Sequence, residues 1–463
     1  MAGMKKRKKG YTIFRALKTG GHLLVLGGSF LGAFRVLEDL GHGRPLPLAV
    51  LYLVLLEGFW LLLEAGDVEQ RRFLDLMYSQ FFGAAAASLF FGALMCAVSS
   101  LSMWQILGEF FLLLVLQSGA GMAWAALCFG LYLRGQSHKR ALFIYGEREE
   151  PEEITEKNNR INGYFHIAAS VPCREAAKRP GEVLGGYQAV YLGDLPPGDK
   201  GAILEQCMIM GKDCYSIPGL IDVYTQNARI LRLQDKVLFQ YHKGGLTAGQ
   251  KKAKRALDIG VALALLALSA PLMLVIALCV RLEDGGPVLY RQIRYTEGGR
   301  PFRMLKFRSM HVDAEREGAR LASRNDSRIT RVGRIIRNLH FDELPQLVNV
   351  LKGDMSMVGP RPERREFIEE YSRVIPEFSQ RMKVKGGLTG YAQIYGKYNT
   401  GPEDKIKYDL IYIYNYSLRL DVRLLFLTVR ILFQKESAEG VEEGRRSAVR
   451  ERKERQDGDD QTS

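Results

Sequence analysis

The chain has 463 residues, which is enough for two or three domains, and its formal net charge is +14. A hydrophobic fraction of 47% beside 25% charged residues is unusual for one soluble domain, so the apolar residues must be concentrated in segments. The basic residues lie next to those segments, which favours a membrane protein over a nucleic-acid-binding one. The six cysteines show no CxxC spacing and are expected to be reduced.

Four apolar runs near the N-terminus have about the length that a bilayer requires, roughly 20 residues each. They cover residues 23–37, 46–63, 81–98 and 107–133, and they predict a four-helix transmembrane region over residues 1–138. By the positive-inside rule, the basic clusters at 5–9, 71–72 and 139–140 place the N-terminus and everything after residue 133 on the cytoplasmic side. No cleavable signal peptide is expected, because no small-residue cleavage site follows the basic start.

Residues 139–245 show short apolar strands that alternate with helical stretches, a pattern typical of an α/β domain. The first strand ends at Tyr145-Gly146 and is followed by acidic residues, where a dinucleotide fingerprint would have two further glycines and bind pyrophosphate. We therefore predict a cytoplasmic, degenerate Rossmann-like domain without a nucleotide. It would serve as a spacer or as a regulatory or oligomerisation module.

An apolar stretch over residues 259–280 is also long enough to span a membrane. Pro271 lies near its middle, where proline removes a backbone hydrogen bond and kinks a helix. The basic residues that follow, up to Arg308, would lie outside the cell if the stretch crossed fully. We predict a re-entrant helix that breaks at Ser269-Ala270-Pro271 and returns, with an ordinary kinked fifth span as the alternative.

The region after residue 281 is charged and punctuated by glycine and proline, and we predict a mainly α-helical catalytic domain over residues 250–434. Near its end, residues 421–435 carry leucines on one face with two arginines seven residues apart, which fits an interfacial helix or a core helix. Residues 435–463 are charged and almost free of large apolar side chains, so a disordered tail is predicted.

An adjacent acidic pair, Asp342 and Glu343, lies just before the apolar run LPQLVNVLK. Asp342 is predicted as the N-cap of a helix that Gly353 ends, where free N–H groups favour an anion. A solvated pair of charges is the simpler interpretation of such a motif alone. Lys306, Arg308, Arg328, Arg337 and Arg361 surround the pair in sequence, and arginine suits two-point binding of phosphate. A solvated basic face, or one that binds acidic lipid, would leave the acidic pair unexplained.

From Lys254 to about residue 429, the chain resembles the bacterial sugar transferase family, the polyprenyl-phosphate hexose-1-phosphate transferases. The motifs that carry this resemblance occur in the family's order: KRALD at 254–258, GGPVLYRQIR at 285–294, KFRSM at 306–310, DELPQLVNVLKGDMSMVGPRP at 342–362 and GLTGYAQIYG at 387–396. The preceding spans and α/β domain resemble the extension that larger family members carry. This chain departs from the family pattern at the Ser269-Ala270-Pro271 break, at Gly386-Gly387 and at Tyr391.

The resemblance implies transfer of a sugar 1-phosphate from a nucleotide sugar, with UDP as the expected nucleotide, to undecaprenyl phosphate. The implied setting is the bacterial plasma membrane, with the catalytic domain on the cytoplasmic face, in the first membrane step of exopolysaccharide, capsule, O-antigen or glycoprotein glycan assembly. Asp342 would attack the phosphate attached to the sugar and form a covalent aspartyl intermediate, which the lipid phosphate would then displace.

The roles assigned to the site residues follow from charge and from position in those motifs. Asp342 and Glu343 are expected to bind Mg²⁺, the expected cofactor, and Glu343 also to position the pair. Arg337 and Arg361 are expected to contact phosphate or nucleotide, and Lys306 and Arg308 to anchor phosphates near the membrane. Arg328 is expected to bind substrate, and Ser269 and Pro271 to shape the membrane helix. Membrane lipid is a further expected partner, nucleic acid is not, and homodimer formation stays open. The alternatives are an inactive membrane scaffold or regulator of polysaccharide assembly, and a dinucleotide-dependent enzyme acting through the α/β domain.

Overall fold

A computed structural model describes residues 2–41, 43, 45–68, 73–98, 102–135, 139–147, 149–161, 165–311, 326, 328–396 and 401–432. The chain divides into two compact units, residues 1–217 and 218–463, which we describe separately. The predicted disordered tail at 435–463 lies outside the described residues.

Four long helices form the first part of unit 1: α1 (Ala2–Asp39), α2 (Pro45–Leu62), α3 (Phe73–Val98) and α4 (Met103–Gly135). The predicted apolar runs lie within or largely within these helices, because a long uncharged stretch in lipid satisfies its backbone groups only as a helix. Inside the bundle, Tyr52 donates a hydrogen bond of 2.8 Å to Gln117, and Gln117 donates one of 3.1 Å to Ser88. This buried polar contact joins α2, α3 and α4.

A four-stranded parallel sheet forms the rest of unit 1, and its strand order is β2-β1-β3-β4. Its elements are β1 (Lys139–Tyr145), α5 (Pro151–Ile161), β2 (Phe165–Pro172), α6 (Cys173–Lys178), α7 (Pro180–Leu184), β3 (Ala189–Leu192), α8 (Pro197–Ile209) and β4 (Asp213–Ser216). Apolar strand residues such as Leu142 and Val190 are fully buried, as expected for strands covered by helices. The predicted α/β domain is present.

Where the structure describes it, unit 2 is mainly helical and contains three two-stranded sheets. Its elements are α9 (Leu220–Gln226), β5 (Arg229–Leu233), β6 (Lys236–Gln240), α10 (Ala248–Asp284), β7 (Leu289–Tyr295), β8 (Pro301–Phe307), α11 (Arg331–Asn338), α12 (Gln346–Lys352), β9 (Ser356–Val358), α13 (Arg365–Val374), β10 (Gly387–Thr389), α14 (Tyr391–Tyr395), α15 (Pro402–Tyr414) and α16 (Leu418–Leu432). Three 3-10 helices cover Glu297–Gly299, Phe341–Glu343 and Pro376–Lys383.

The boundary that we predicted at residue 245 moves to residue 217. Val223 of α9 is 2% exposed and belongs to the apolar core of unit 2, so α9 is part of that unit. Leu424 and Leu427 of α16 are buried in the same core. Of the two interpretations of that segment, the core helix is therefore the one observed.

Helix α10 runs through Pro271 without a break, which corrects the predicted interruption at Ser269-Ala270-Pro271. The Ser269 hydroxyl donates a 2.7 Å hydrogen bond to the Leu265 carbonyl four residues earlier, a contact that is compatible with a continuous helix. The apolar side chains of α10 are largely uncovered by protein, and Leu268 is 80% exposed. In the part of the chain that the structure describes, α10 and α1 to α4 are five helices long and apolar enough to cross a membrane. They mark a membrane-embedded protein.

Both ends of α10 contact the same unit. Near its start, Lys254 lies 2.6 Å from Asp421 of α16 in a buried ion pair, and the Asp258 carboxylate accepts hydrogen bonds from Ser356 and from the Met357 N–H, both 2.9 Å. Near its end, Val280 packs against Phe307, the last residue of β8. The helix is thus fixed to the catalytic domain on either side of its apolar middle.

Candidate active site

The acidic pair lies in the 3-10 helix Phe341–Glu343, between α11 and α12. His340 precedes it in the left-handed region, with φ of 56°, so the chain turns sharply there. The predicted N-cap role of Asp342 is wrong, because α12 begins at Gln346 with Pro345 as its cap and no side chain accepts a capping hydrogen bond. Proline can enter this position because it needs no N–H partner. The predicted end at Gly353 is confirmed, since that glycine has φ of 86°.

Two cations from distant parts of the sequence meet on the Glu343 carboxylate. The Lys306 ammonium lies 2.8 Å from Oε1. The Arg361 guanidinium donates through Nη1 to Oε2 at 3.3 Å and through Nη2 to Oε1, which is a two-point ion pair. The structure therefore brings together four of the predicted site residues, Lys306, Asp342, Glu343 and Arg361. A fifth, Arg337, lies close enough for its charge to lower the pKa of Asp342.

Lys306 reaches the acidic pair because β8 is fixed against α12. The buried side-chain amide of Asn349 accepts a hydrogen bond of 2.9 Å from the Leu305 N–H and donates one of 2.8 Å to the Arg303 carbonyl. Asn349 thus pairs with β8 much as a neighbouring strand would. Sequence reasoning missed this residue, although a polar side chain inside the apolar run LPQLVNVLK was a usable signal.

Arg361 is carried by the loop Gly359-Pro360-Arg361-Pro362, which follows β9 and packs against β10. The Gly359 N–H donates to the Thr389 carbonyl at 2.8 Å, and the Gly387 N–H donates to the Pro360 carbonyl at 2.9 Å. A Cβ atom on Gly387 would lie 2.1 Å from the Gly359 nitrogen, so only glycine permits this approach. This contact explains why both motifs contain glycine at these positions.

The two carboxylates of the pair differ in electrostatics. Burial raises the pKa of Asp342, and the adjacent Glu343 charge raises it further, while Lys306, Arg337 and Arg361 oppose this shift. Burial also penalises the charged form of Glu343, but Arg361 and Lys306 outweigh it and hold the pKa of Glu343 well below its usual range. Glu343 is thus a fixed anion, whereas Asp342 is the more basic carboxylate and depends on nearby cations for its charge.

Asp342 is also the carboxylate of the pair that has no hydrogen-bond donor in the described part of the chain. Its residue is 9% exposed, and none of the described residues donates a hydrogen bond to its side chain. With Lys306, Arg337 and Arg361 against two carboxylates, the surroundings carry a net positive charge when both acids are ionised. Such a site favours an anionic ligand that approaches Asp342.

The remaining predicted residues lie elsewhere. Arg308 is 7% exposed, pairs with Asp284 at the end of α10 and donates a 3.4 Å hydrogen bond to the Val280 carbonyl. Arg328 pairs with its neighbour Asp326 at 2.6 Å. Arg308 therefore fastens α10 to the domain and is oriented by that contact, while the expected phosphate contacts of both arginines stay predictions.

The two carboxylates are not equally suited to bind the expected Mg²⁺. Across the described ranges, no three His, Cys, Asp or Glu side chains lie together as a complete metal-binding group. Mg²⁺ commonly takes only one or two carboxylates and completes its shell with phosphate and water. Asp342 fits this use because no described residue donates a hydrogen bond to its oxygens. Glu343 would first have to release oxygens that Lys306 and Arg361 occupy.

Comparison with known proteins agrees with the motifs of the catalytic unit. The profile of the family described as bacterial sugar transferase matches residues 249–435. The chain is 40% identical over 240 residues to the UDP-N-acetylgalactosamine-undecaprenyl-phosphate N-acetylgalactosaminephosphotransferase of Aeromonas hydrophila, which covers 51% of this chain and 56% of that protein.

Two further relatives are named UDP-glucose:undecaprenyl-phosphate glucose-1-phosphate transferase. The protein from Caulobacter vibrioides is 45% identical over 40% of this chain and 71% of its own length. The one from Escherichia coli is 40% identical over 45% of this chain and 47% of its own length. The chain thus spans about half the length of the Aeromonas and Escherichia relatives and more than two thirds of the Caulobacter one. The matched block contains Asp342, Glu343, Lys306, Arg337 and Arg361, and the chain belongs to the bacterial sugar transferase family.

Proposed function

We propose that this protein transfers a sugar 1-phosphate from a UDP-sugar to undecaprenyl phosphate. The observation that carries this proposal is the buried Asp342 carboxylate, which accepts no hydrogen bond from the described residues. It lies next to two cations that Glu343 holds in place. The printed names of the relatives supply the substrate classes, since each names undecaprenyl phosphate and a UDP-sugar. Glucose and N-acetylgalactosamine are therefore the first sugars to test.

In the proposed first step, an Asp342 oxygen attacks the phosphorus that is bonded to the sugar. The bond between the two phosphates of the donor breaks, and the nucleoside monophosphate leaves with the bonding electrons. In the second step, an oxygen of undecaprenyl phosphate attacks the same phosphorus and releases the Asp342 carboxylate. A carboxylate nucleophile needs no general base, and its raised pKa makes it the more nucleophilic member of the pair when ionised.

The cations have two tasks in this scheme. Lys306 and Arg361 favour the ionised form of Asp342, and their remaining N–H groups can bind the oxygens of the transferred phosphate. Glu343 orients both cations, because it pairs with each of them. Mg²⁺, when bound by the open Asp342 oxygens together with phosphate oxygens, would offset the negative charge of the donor diphosphate.

The contacts of α10 support the proposed re-entrant arrangement, with the catalytic domain on the cytoplasmic face. A domain that lies on one side of a membrane can contact both ends of a helix only if both ends are on that side. Lys254 and Asp258 near the start, and Val280 near the end, all contact unit 2. A bend within the helical run at Pro271, without loss of helical structure, would satisfy this geometry.

Purified full-length protein tests the proposed reaction directly. With Mg²⁺, undecaprenyl phosphate and a panel of UDP-sugars, we expect UMP release with at least one donor. Without lipid, we expect a sugar-phosphate adduct on the peptide that contains Asp342, measured by mass spectrometry after an acid quench. Addition of lipid phosphate should remove this adduct.

Two results would contradict parts of the proposal. Release of UMP only when lipid is present, with no adduct, would favour a single displacement and remove the nucleophile role of Asp342. No release of a nucleoside monophosphate from any nucleotide sugar would favour the alternative of an inactive scaffold or regulator of polysaccharide assembly.

A further inference from the structure

The loop that carries Arg361 is held through its carbonyl groups. Pro360 and Pro362 have no N–H to donate, so the loop cannot fix itself as a strand would. Instead, the carbonyls of Pro360 and Glu363 accept backbone hydrogen bonds from Gly387 and Tyr295, 2.9 and 3.2 Å long. The two carbonyls between them, those of Arg361 and Pro362, accept from arginine side chains at 3.0 and 3.2 Å.

Arg381 is the side chain that holds the Arg361 carbonyl. It lies in the 3-10 helix Pro376–Lys383, is 5% exposed, and its Nη2 donates the 3.0 Å hydrogen bond to that oxygen. The guanidinium carbon lies 4.8 Å from the centre of the buried Phe378 ring, which limits its movement. Its contact with Arg361 is on the backbone, so the Arg361 guanidinium stays available to Glu343.

Asp409 forms an ion pair with the same Arg381 nitrogen that holds the Arg361 carbonyl. Its Oδ2 lies 2.9 Å from Arg381 Nη2, and the residue is 1% exposed on α15. Glu363 lies 3.6 Å from Arg381 Nη1. Burial raises the pKa of Asp409 to about 6, which shows that Arg381 offsets only part of the desolvation cost. A buried charged pair of this kind is an expensive way to stabilise a fold, which points to a role in positioning.

We infer that Arg381, held by Asp409, is a positioning residue that sets the Arg361 guanidinium on Glu343 and so places the cations around Asp342. This inference rests on the proposed function for its kinetic test, but its geometric part stands on the contacts alone. Arg381 touches neither carboxylate of the acidic pair; it acts through the backbone of Arg361.

A double-mutant cycle separates positioning from general stability. We expect Arg381→Met to lower kcat about tenfold while KM changes less than about twofold. In an Arg361→Gln background, the same change should lower kcat by less than about twofold, because the group that it positions is gone. Arg381→Lys keeps the charge, but a lysine ammonium cannot take the position that Nη2 has between Asp409 Oδ2 and the Arg361 carbonyl, so we expect a loss of about threefold that also disappears in that background.

Lys254→Met is the matched control, because Lys254 and Asp421 form another buried ion pair in the same unit, 7% and 0% exposed. Any loss that it causes should be the same with and without Arg361→Gln. Arg381→Met that lowers kcat equally in both backgrounds would overturn the inference and assign Arg381 a structural role. If Arg381→Met does not fold, the lysine variant provides the same comparison.

Hydrogen exchange gives a readout that needs no substrate. The Gly359 and Gly387 amides should exchange faster in Arg381→Met than in Lys254→Met, since both amides hold the loop. Equal exchange in the two variants would contradict the positioning role. Absence of UMP release by the wild-type protein would instead contradict the proposed function and leave this exchange test intact.

Discussion

The parallel sheet of unit 1 and the acidic turn of unit 2 each hold a carboxylate where phosphate could bind, and the two carboxylates have different partners. In the sheet, β1 and β3 are neighbours at the point where strand order reverses, which is where nucleotides bind in such folds. The Glu149 carboxylate accepts the Gly146 N–H at 2.9 Å there, and a Cβ on Gly193 would overlap it. Glu149 thus occupies the Gly146 N–H, which is the donor that a bound phosphate would use.

In the catalytic unit, the partners of the carboxylate are side-chain cations with spare donors. Glu343 binds Lys306 and Arg361, and each cation can still donate to another oxygen. The side chain of the adjacent, buried Asp342 accepts no hydrogen bond from the described residues. Glu149 accepts a backbone N–H and so occupies the place of a phosphate. Glu343 instead orients a lysine and an arginine that can both bind a phosphate. The acidic pair is therefore where this chain is expected to act on phosphate.

The largest expected effect concerns Asp342. Asp342→Asn keeps the shape of the side chain but removes its negative charge, so we expect turnover to fall by about 10³-fold or more. UMP release and the covalent adduct should be lost together, while the circular dichroism of the detergent-purified protein stays unchanged. An adduct on the peptide that carries the substitution, or turnover near the wild-type rate, would remove Asp342 from its assigned role.

Glu343→Gln should have the next largest effect. The substitution leaves Lys306 and Arg361 without their shared anion, so both cations lose orientation, and we expect turnover to fall by about 10²-fold. If Glu343 mainly orients cations, the Mg²⁺ concentration for half-maximal rate should stay within about twofold of wild type. A strong rise in that concentration, with rescue by added Mg²⁺, would show that Glu343 binds the metal instead.

A smaller effect is expected at Pro271. Pro271→Leu restores the backbone N–H and favours a straighter α10, so some molecules should adopt a spanning form and turnover should fall by about three- to tenfold. Single cysteines at Gly249 and Pro287, in a background without reactive native thiols, report the topology in cells. Both should be labelled from the cytoplasmic side in the wild type, and Pro287→Cys partly from outside in the Pro271→Leu variant.

Labelling of the two sites from opposite faces in the wild type would make α10 a full span. That result would contradict the re-entrant arrangement, in which both ends of α10 contact unit 2 on the same side of the membrane.

The smallest effect on turnover is expected at Glu149. Glu149→Ala frees the Gly146 N–H in the sheet, which should lower local stability by about 1–2 kcal/mol and speed amide exchange in β1 and β3. UMP release should stay unchanged, and NAD should not bind. Glu147→Ala is the control, because the Glu147 side chain is 74% exposed in its pair with Arg174 and should change nothing measurable. NAD binding by the wild type would contradict the comparison made above.

The sequence by itself determined what depends on local pattern. Long uncharged runs form α1 to α4 and α10, and alternating strand and helix signals form the parallel sheet, because hydrophobic periodicity acts over neighbouring residues. The acidic pair and the Gly-Pro-Arg-Pro motif were also visible, and so was the end of α12 at Gly353. The N-cap role of Asp342 was wrong, since Pro345 moves the helix start to Gln346.

Only the tertiary structure decided which charges meet. Lys306, Glu343 and Arg361 are brought together by a hairpin strand, a 3-10 turn and a glycine-dependent loop contact, and Arg381 and Asp409 come from further along the chain. Arg308, one of the cations expected at the phosphate, pairs with Asp284 at the end of α10, and its phosphate contact stays a prediction. Ion pairs between residues tens of positions apart leave no periodic signal, because their geometry depends on how whole elements pack. The continuous course of α10 through Pro271 was likewise visible only in the structure.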